Sequence, residues 1–238
     1  MSRLSVILIK EWRESMRNKM VLFGVIFLPL FLVGFSVYMV IQSGGTDDPI
    51  AQIVLFNTSL MYFLLLPAII PLAIAVYSIV GEKEQTTLEP LLATPITDTE
   101  LFLGKALASV LPALLINWIS FGLFLVATRA FVGELPLQAL TAPWIASIFG
   151  LSPLLALFSV LVTMLVSSRA SDARAAYQFS SFAILPGIIP LIIYSSQKTL
   201  VDLTLVAIEG GVLLVASVVL LFLAIRVFRR EQILTRWK

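Results

Sequence analysis

The chain has 238 residues, of which 59% are hydrophobic and 13% are charged, and its mean hydropathy is +1.02. Soluble domains carry roughly 25% charged residues, so this composition excludes an ordinary soluble domain. Histidine and cysteine are both absent, which excludes disulfides, thiol nucleophiles, Ser-His triads and metal or haem sites built on Cys or His.

The first 19 residues predict an amphipathic helix on the inner membrane surface, with a merely solvated basic tail as the alternative. Its apolar stripe, at i, i+4 spacing, comprises Leu4, Leu8, Trp12 and Met16. Its basic side comprises Arg3, Lys10 and Arg17.

Long apolar runs without strand-like alternation predict an all-α, polytopic membrane protein that forms a single transmembrane domain over residues 1–238. Each run is close to the ~20 residues that cross about 30 Å of hydrocarbon. The six predicted transmembrane helices are 20–42, 60–80, 103–127, 144–167, 177–195 and 203–225.

The basic residues predict the orientation. If both termini are cytoplasmic, all of the 16 Lys and Arg residues except Arg129 and Lys198 lie in cytoplasmic segments. This bias also favours an even number of spans. The basic tail, residues 226–238, is expected to anchor at the same membrane surface.

Prolines recur inside the predicted spans and indicate bent or broken helices. The segments LPAIIPLAIAVYS (66–78) and LPGIIPLIIYSS (185–196) are alike, and they lie in spans that run in opposite directions. The match is either an inverted repeat with paired discontinuities near the midplane or a coincidence in a chain rich in Leu, Ile and Pro.

A polar insert, residues 81–101, separates the second and third spans on the cytoplasmic side. Thr86 and Glu89 fit a capping box that starts a short helix, and Pro95 ends that helix. A second capping box, from Thr97 to Glu100, starts the helix of the third span. So short a helix needs a surface to pack on, either the membrane or a soluble partner protein.

The insert resembles the signature of ABC-2 type transporter permeases. The resemblance rests on Gly81-Glu82-Lys83-Glu84, on Thr87-Leu88-Glu89-x-Leu91-Leu92-x-Thr94-Pro95-Ile96 and on Gly104-Lys105, supported by Leu185-Pro186-Gly187. One departure is Thr86, where many members carry Gly.

The resemblance implies the permease subunit of an ATP-driven exporter in the cell membrane. Such a subunit works as a dimer with a second copy or paralogue and with a separate ATPase subunit that binds ATP and Mg. This chain has no G-x-x-x-x-G-K-[ST] motif, so it is expected to hold no cofactor, to have no catalytic or metal site and not to be an enzyme. Membrane lipids are further expected partners, and nucleic acid is not.

The resemblance also implies that the insert is a coupling helix that docks on the ATPase. The predicted coupling residues are Glu82, Lys83, Glu84, Thr87, Leu88, Glu89, Leu91, Leu92, Thr94, Pro95 and Ile96. Asn117 and Glu209, polar side chains within predicted spans, are candidates for the translocation pathway. An ATP-independent channel or a membrane assembly scaffold remains the alternative function.

Overall fold

The computed structural model describes residues 3–43, 49–84, 97–132, 140–170, 172–189, 192 and 202–227. Within these ranges the regular structure is entirely helical, as the sequence predicts. The helices are α1 Arg3–Arg17, α2 Lys19–Ser43, α3 Pro49–Met61, α4 Leu66–Glu84, α5 Asp98–Val132, α6 Ala142–Arg169, α7 Ala173–Ser180 and α8 Leu203–Val227.

Five helical stretches in the described ranges are long and apolar enough to cross a membrane: Val21–Gln42, Val54–Glu82, Thr99–Val132, Ala142–Arg169 and Leu203–Arg226. They correspond to five of the six predicted spans. The remaining prediction, 177–195, coincides with helical residues 173–189 and then runs largely outside the described residues. The structure therefore supports a multi-spanning helical protein and leaves the sixth span a prediction.

The start of α5 agrees with the sequence prediction, whereas the start of the second span does not. The capping box at the start of α5 is confirmed: the Thr97 backbone N–H donates to Glu100 Oε2 at 2.9 Å, and the Glu100 N–H donates to Thr97 Oγ1 at 3.2 Å. The second span, by contrast, begins earlier than predicted. It includes α3, which joins α4 through a 3-10 turn at Tyr62–Leu64.

Helix α4 lies at the centre of the bundle. It packs on α5, α6 and α7, and 78% of its membrane-length segment is buried. By contrast, α8 packs chiefly on α6 and is only 17% buried, so the described residues leave most of its apolar surface uncovered. Such surface is stable in lipid or against a second subunit, and not in water.

The two similar Pro-containing segments begin in the same way, and the described part of the second contacts the turn before the first. A 3-10 turn precedes each: Tyr62–Leu64 before the first, and Ser181–Ile184 before the second. In the second turn the Leu185 N–H donates to the Phe182 carbonyl, which Pro186 leaves without its usual helical donor. A Cβ on Gly187 would lie 3.3 Å from the Leu64 carbonyl oxygen, so only glycine fits comfortably at this contact.

Helix α6 is interrupted as well, by π-helical residues Ala146–Leu151. The carbonyl of Ile148 in this stretch accepts hydrogen bonds from Trp118 Nε1 at 3.1 Å and from Ser152 Oγ at 2.6 Å. The side chain of Trp144, just before the stretch, is fully buried and donates to Asn57 Oδ1. These bonds satisfy polar groups that would be costly in hydrocarbon.

Candidate functional site: an ion-pair network beside the polar insert

Most predicted coupling residues lie outside the described residues. They are Thr87, Leu88, Glu89, Leu91, Leu92, Thr94, Pro95 and Ile96. Lys83 and Glu84 lie in the last turn of α4, and their side chains are also outside the described part. Their docking role remains a prediction. The structure does describe both flanks of the insert, namely the end of α4 and the start of α5, and we call this end of the bundle the insert end.

Lys105, in the second turn of α5, lies at the centre of the insert end with 1% of its side chain exposed. Its ammonium donates hydrogen bonds to Glu11 Oε1 at 2.8 Å, to the Ser78 carbonyl at 2.6 Å and to Ser78 Oγ at 3.1 Å. It also forms an ion pair with Glu82 Oε2 at 2.8 Å. One buried cation thus joins α1, α4 and α5.

The same carboxylates have further hydrogen-bond partners. Ser78 Oγ donates to Glu11 Oε2 at 2.5 Å, and Lys10 Nζ donates to Glu82 Oε1 at 2.5 Å. Glu11 and Glu82 are 2% and 5% exposed, whereas Lys10 is 35% exposed. Two lysines therefore match two buried glutamates, and we call these four residues with Ser78 the ion-pair network.

Close packing of α1 on α5 brings these charges together. The buried face of α1 consists of Ile7, Glu11 and Ser15, one helical turn apart. A Cβ on Gly104 would lie 2.7 Å from Ile7 Cγ2, so glycine is needed here for the helices to approach. Gly104 thus leaves space for α1 to approach, and Lys105 provides the charge that binds Glu11 of α1.

The charges and hydrogen bonds of the network shift the pKa of its two α1 residues, Lys10 and Glu11. Burial alone would raise the pKa of Glu11, but the charge of Lys105, hydrogen bonds from Lys105 and Ser78 and the charge of Lys10 lower it below its ordinary value of 4.5. Burial alone would lower the pKa of Lys10, but the hydrogen bond to Glu82 and nearby carboxylates raise it above 10.5. Both groups are charged near neutral pH.

Three carboxylates at the insert end, those of Glu11, Glu14 and Glu82, have oxygens within 4.8 Å of one another. Such spacing could serve a hard cation. However, the ammonium groups of Lys10 and Lys105 already contact Glu11 and Glu82 at this point. These carboxylates are therefore already paired with ammonium groups, including Glu14 with Lys10 at 3.5 Å, and the absence of a metal site stays a prediction.

The candidate pathway residues occupy different environments. Asn117, in α5, is fully buried, and neither of its amide atoms has a hydrogen-bond partner among the described residues. Glu209, in α8, is partly buried, and its buried Oε1 has no such partner either. The structure does not bring the two together with the ion-pair network, and their pathway role remains a prediction.

Sequence reasoning assigned Glu82 to the ATPase contact and did not find the role of Glu11, Lys10 or Lys105 in one network. Lys105 was part of the Gly104-Lys105 motif and Lys10 was placed on the basic side of the helix, whereas no pattern singled out Glu11. Its signal is the i, i+4 series of Ile7, Glu11 and Ser15, which is a second face beside the apolar stripe.

The sequence was compared with models of known protein families. The model of the ABC-2 family transporter proteins matches residues 5–207. The chain belongs to this family. The ABC-2 match runs from α1 into α8 and confirms the resemblance found at the insert.

One curated relative is similar over a shorter length. The probable ABC transporter permease protein NosY of Pseudomonas aeruginosa is 34% identical over 170 residues, which is 70% of this chain. The aligned region spans 60% of that relative's length.

Replacing Lys105 with Met should destabilise the protein by about 3–5 kcal/mol, because Glu11 and Glu82 lose their buried cation. The control Lys10→Met should cost under about 1 kcal/mol, because the Lys10 head group is partly solvated and its contacts are screened. Unfolding of the purified protein in detergent measures both. Adding Glu11→Gln to Lys105→Met should recover part of the loss, and equal effects of the two lysine substitutions would contradict the network.

The lowered pKa of Glu11 predicts a loss of stability in acid. A depressed carboxyl pKa contributes stability that is present above 4.5 and disappears as the pH falls through the folded-state value. The apparent melting temperature of the wild type should therefore fall more steeply below pH 4.5 than that of Glu11→Gln. The raised pKa of Lys10 has the opposite sign, so its contribution disappears only as the pH rises above 10.5. Parallel acid limbs for the two proteins would refute this assignment.

Proposed function

We propose that this ABC-2 protein is the membrane-spanning permease subunit of an ATP-driven transporter, powered by a separate ATPase subunit that binds ATP and Mg. The single observation that carries the proposal is the ion-pair network. It joins both flanks of the insert to one another and to α1. The name of the Pseudomonas aeruginosa relative supports the permease role.

The network gives the insert a mechanical connection to the spans. A partner that pushes on residues 85–96 acts on the end of α4 and the start of α5 together, because Lys105 holds Glu82 across them at 2.8 Å. Helix α1 follows, since Glu11 binds the same ammonium. In this mechanism Glu82 transmits force inward, whereas Lys83, Glu84 and Glu89 face the partner.

The docking surface is proposed to be apolar. Leu88, Leu91 and Leu92 fall on one side of the short predicted helix, which needs a surface to pack on. Thr87, Thr94, Pro95 and Ile96 complete the segment. An ATPase that grips this surface would transmit nucleotide-driven movement without any change in the permease's own chemistry.

The response of the spans is proposed to occur at the paired breaks. The 3-10 turns at Tyr62–Leu64 and Ser181–Ile184 interrupt regular helix, and Gly187 packs directly on the first of them. Interrupted helices bend at lower cost than continuous ones. Movement at the insert end would thus tilt α4 and α7 about adjoining points and alternate access to a pathway.

The pathway is proposed to lie between two permease subunits, either two copies or a pair of paralogues. The largely free surface of α8 is compatible with such a contact, and Asn117 and Glu209 supply polar groups whose partners are not in the described residues. Export across the cell membrane, with both termini cytoplasmic, completes the proposal. It is supported by the family and by the distribution of basic residues.

Leu91→Asp should abolish co-purification with the ATPase, because a charge on the docking face opposes burial against a partner. Thr86→Asp is the matched control, since it adds the same charge to the insert while Asp still caps the short helix. Pull-down of the ATPase with tagged permease, followed by substrate-stimulated ATPase activity, provides the measurement. If the wild type binds no ATPase, the ATP-independent channel or scaffold is supported instead, and equal binding by both variants would refute this docking face.

A further inference from the structure

Helix α1 has an exposed groove on the side away from the ion-pair network. The groove encloses about 570 Å³ and is lined by Leu8, Ile9, Trp12, Arg13, Met16 and Arg17. Ile9 and Trp12 are each about half exposed, at 49% and 46%. Of the predicted apolar stripe, Trp12 is exposed and Leu8 is half-buried, whereas Met16 packs partly on the hydrophobic core and the Leu4 side chain lies outside the described residues. Ile9 and Trp12 are therefore the exposed apolar residues of the groove.

The groove also contains two basic side chains that do not belong to the ion-pair network. Lys10 is held by Glu82 at 2.5 Å, but Arg13 and Arg17 form no ion pair with any acidic residue that the structure describes. Both arginines line the groove, one turn apart, and Arg17 also lines the neighbouring pocket that contains Glu14 and Glu82. A guanidinium pair beside an apolar trough favours an anionic group attached to a hydrocarbon chain.

The groove lies at the level where lipid head groups meet hydrocarbon. Helix α1 ends at Arg17, and Asn18 Oδ1 accepts a hydrogen bond from the Val21 N–H at 3.3 Å, close to where the first membrane-length segment begins. Phe23, two residues further, is 62% exposed on an apolar helix that must face lipid or another apolar surface. At a rise of ~1.5 Å per residue, Arg17 and Arg13 precede this segment by about 6 Å and about 12 Å of helix, which is the range of the head-group region.

We propose that this groove binds one anionic phospholipid from the leaflet at the insert end. Arg13 and Arg17 bind its phosphate, and Trp12 with Leu8 and Met16 packs along the upper part of an acyl chain. The proposal rests on the charges and location of α1 and is independent of the proposed transport function. If so, α1 is bound by lipid on its exposed face and by the Glu11–Lys105 ion pair on its buried face.

The test compares two substitutions that remove the same charge. Purified protein is titrated with phosphatidylglycerol or phosphatidylcholine in mixed micelles, and bound lipids per chain are counted by native mass spectrometry. We expect one phosphatidylglycerol to be retained by the wild type, and Arg13→Gln/Arg17→Gln to weaken its binding by at least about tenfold. The control Arg174→Gln/Arg226→Gln alters two exposed arginines outside the groove and should retain the lipid.

Further measurements distinguish a specific lipid site from diffuse charge attraction and from a protein contact. Arg13→Lys/Arg17→Lys keeps the charge but loses the bidentate geometry, so it should restore binding only in part. Equal losses in the groove and control variants would indicate diffuse charge attraction and overturn the proposal. Undiminished binding in the groove variant would overturn it too. If the groove variant loses the ATPase subunit and keeps its lipid, the groove is a protein contact instead. Melting temperatures verify that each variant is folded.

Discussion

Placing an ammonium group where only 1% of its side chain meets solvent is costly unless carboxylates and hydrogen bonds surround it. At Lys105 those partners come from two other helices, so the cost of burial is offset only when all three are in place. The geometry leaves little freedom: Glu11, Glu82 and Ser78 each contact the ammonium within 2.6–3.1 Å. The position of α1 on the bundle follows from this requirement.

The bundle consequently has stiff and compliant regions in different places. The insert end is stiff, because ion pairs and the Gly104–Ile7 contact bind three helices there. Deeper in the bundle the helices are interrupted, by 3-10 turns at Tyr62–Leu64 and Ser181–Ile184 and by the π-helical stretch Ala146–Leu151. In the proposed mechanism, force that a soluble partner applies to the stiff end would bend the helices at these interruptions.

Local signals in the sequence predicted much of the fold. Hydrophobic run length located five spans, and the capping box at Thr97–Glu100 located the start of α5 correctly. The ion-pair network could not be predicted from the sequence, for a physical reason. Glu11 is joined to Lys105 across 94 positions, and no local pattern reveals which charged side chain of an amphipathic helix turns inward. The predicted fifth span, 177–195, contains a 3-10 turn at Ser181–Ile184 and runs largely outside the described residues, as does the docking face of the insert, so both stay predictions.

In the proposed mechanism, α1 and the flanks of the insert move as one unit. Because the chain has no cysteine, spin labels can be placed only where cysteines are introduced. With the ATPase partner present, labels replacing the exposed Glu14 and Leu103 should give the same distance distribution with and without bound ATP. A second pair, at Glu14 and Arg174, should shift between the two states. A change in the first pair as large as that in the second would contradict the account.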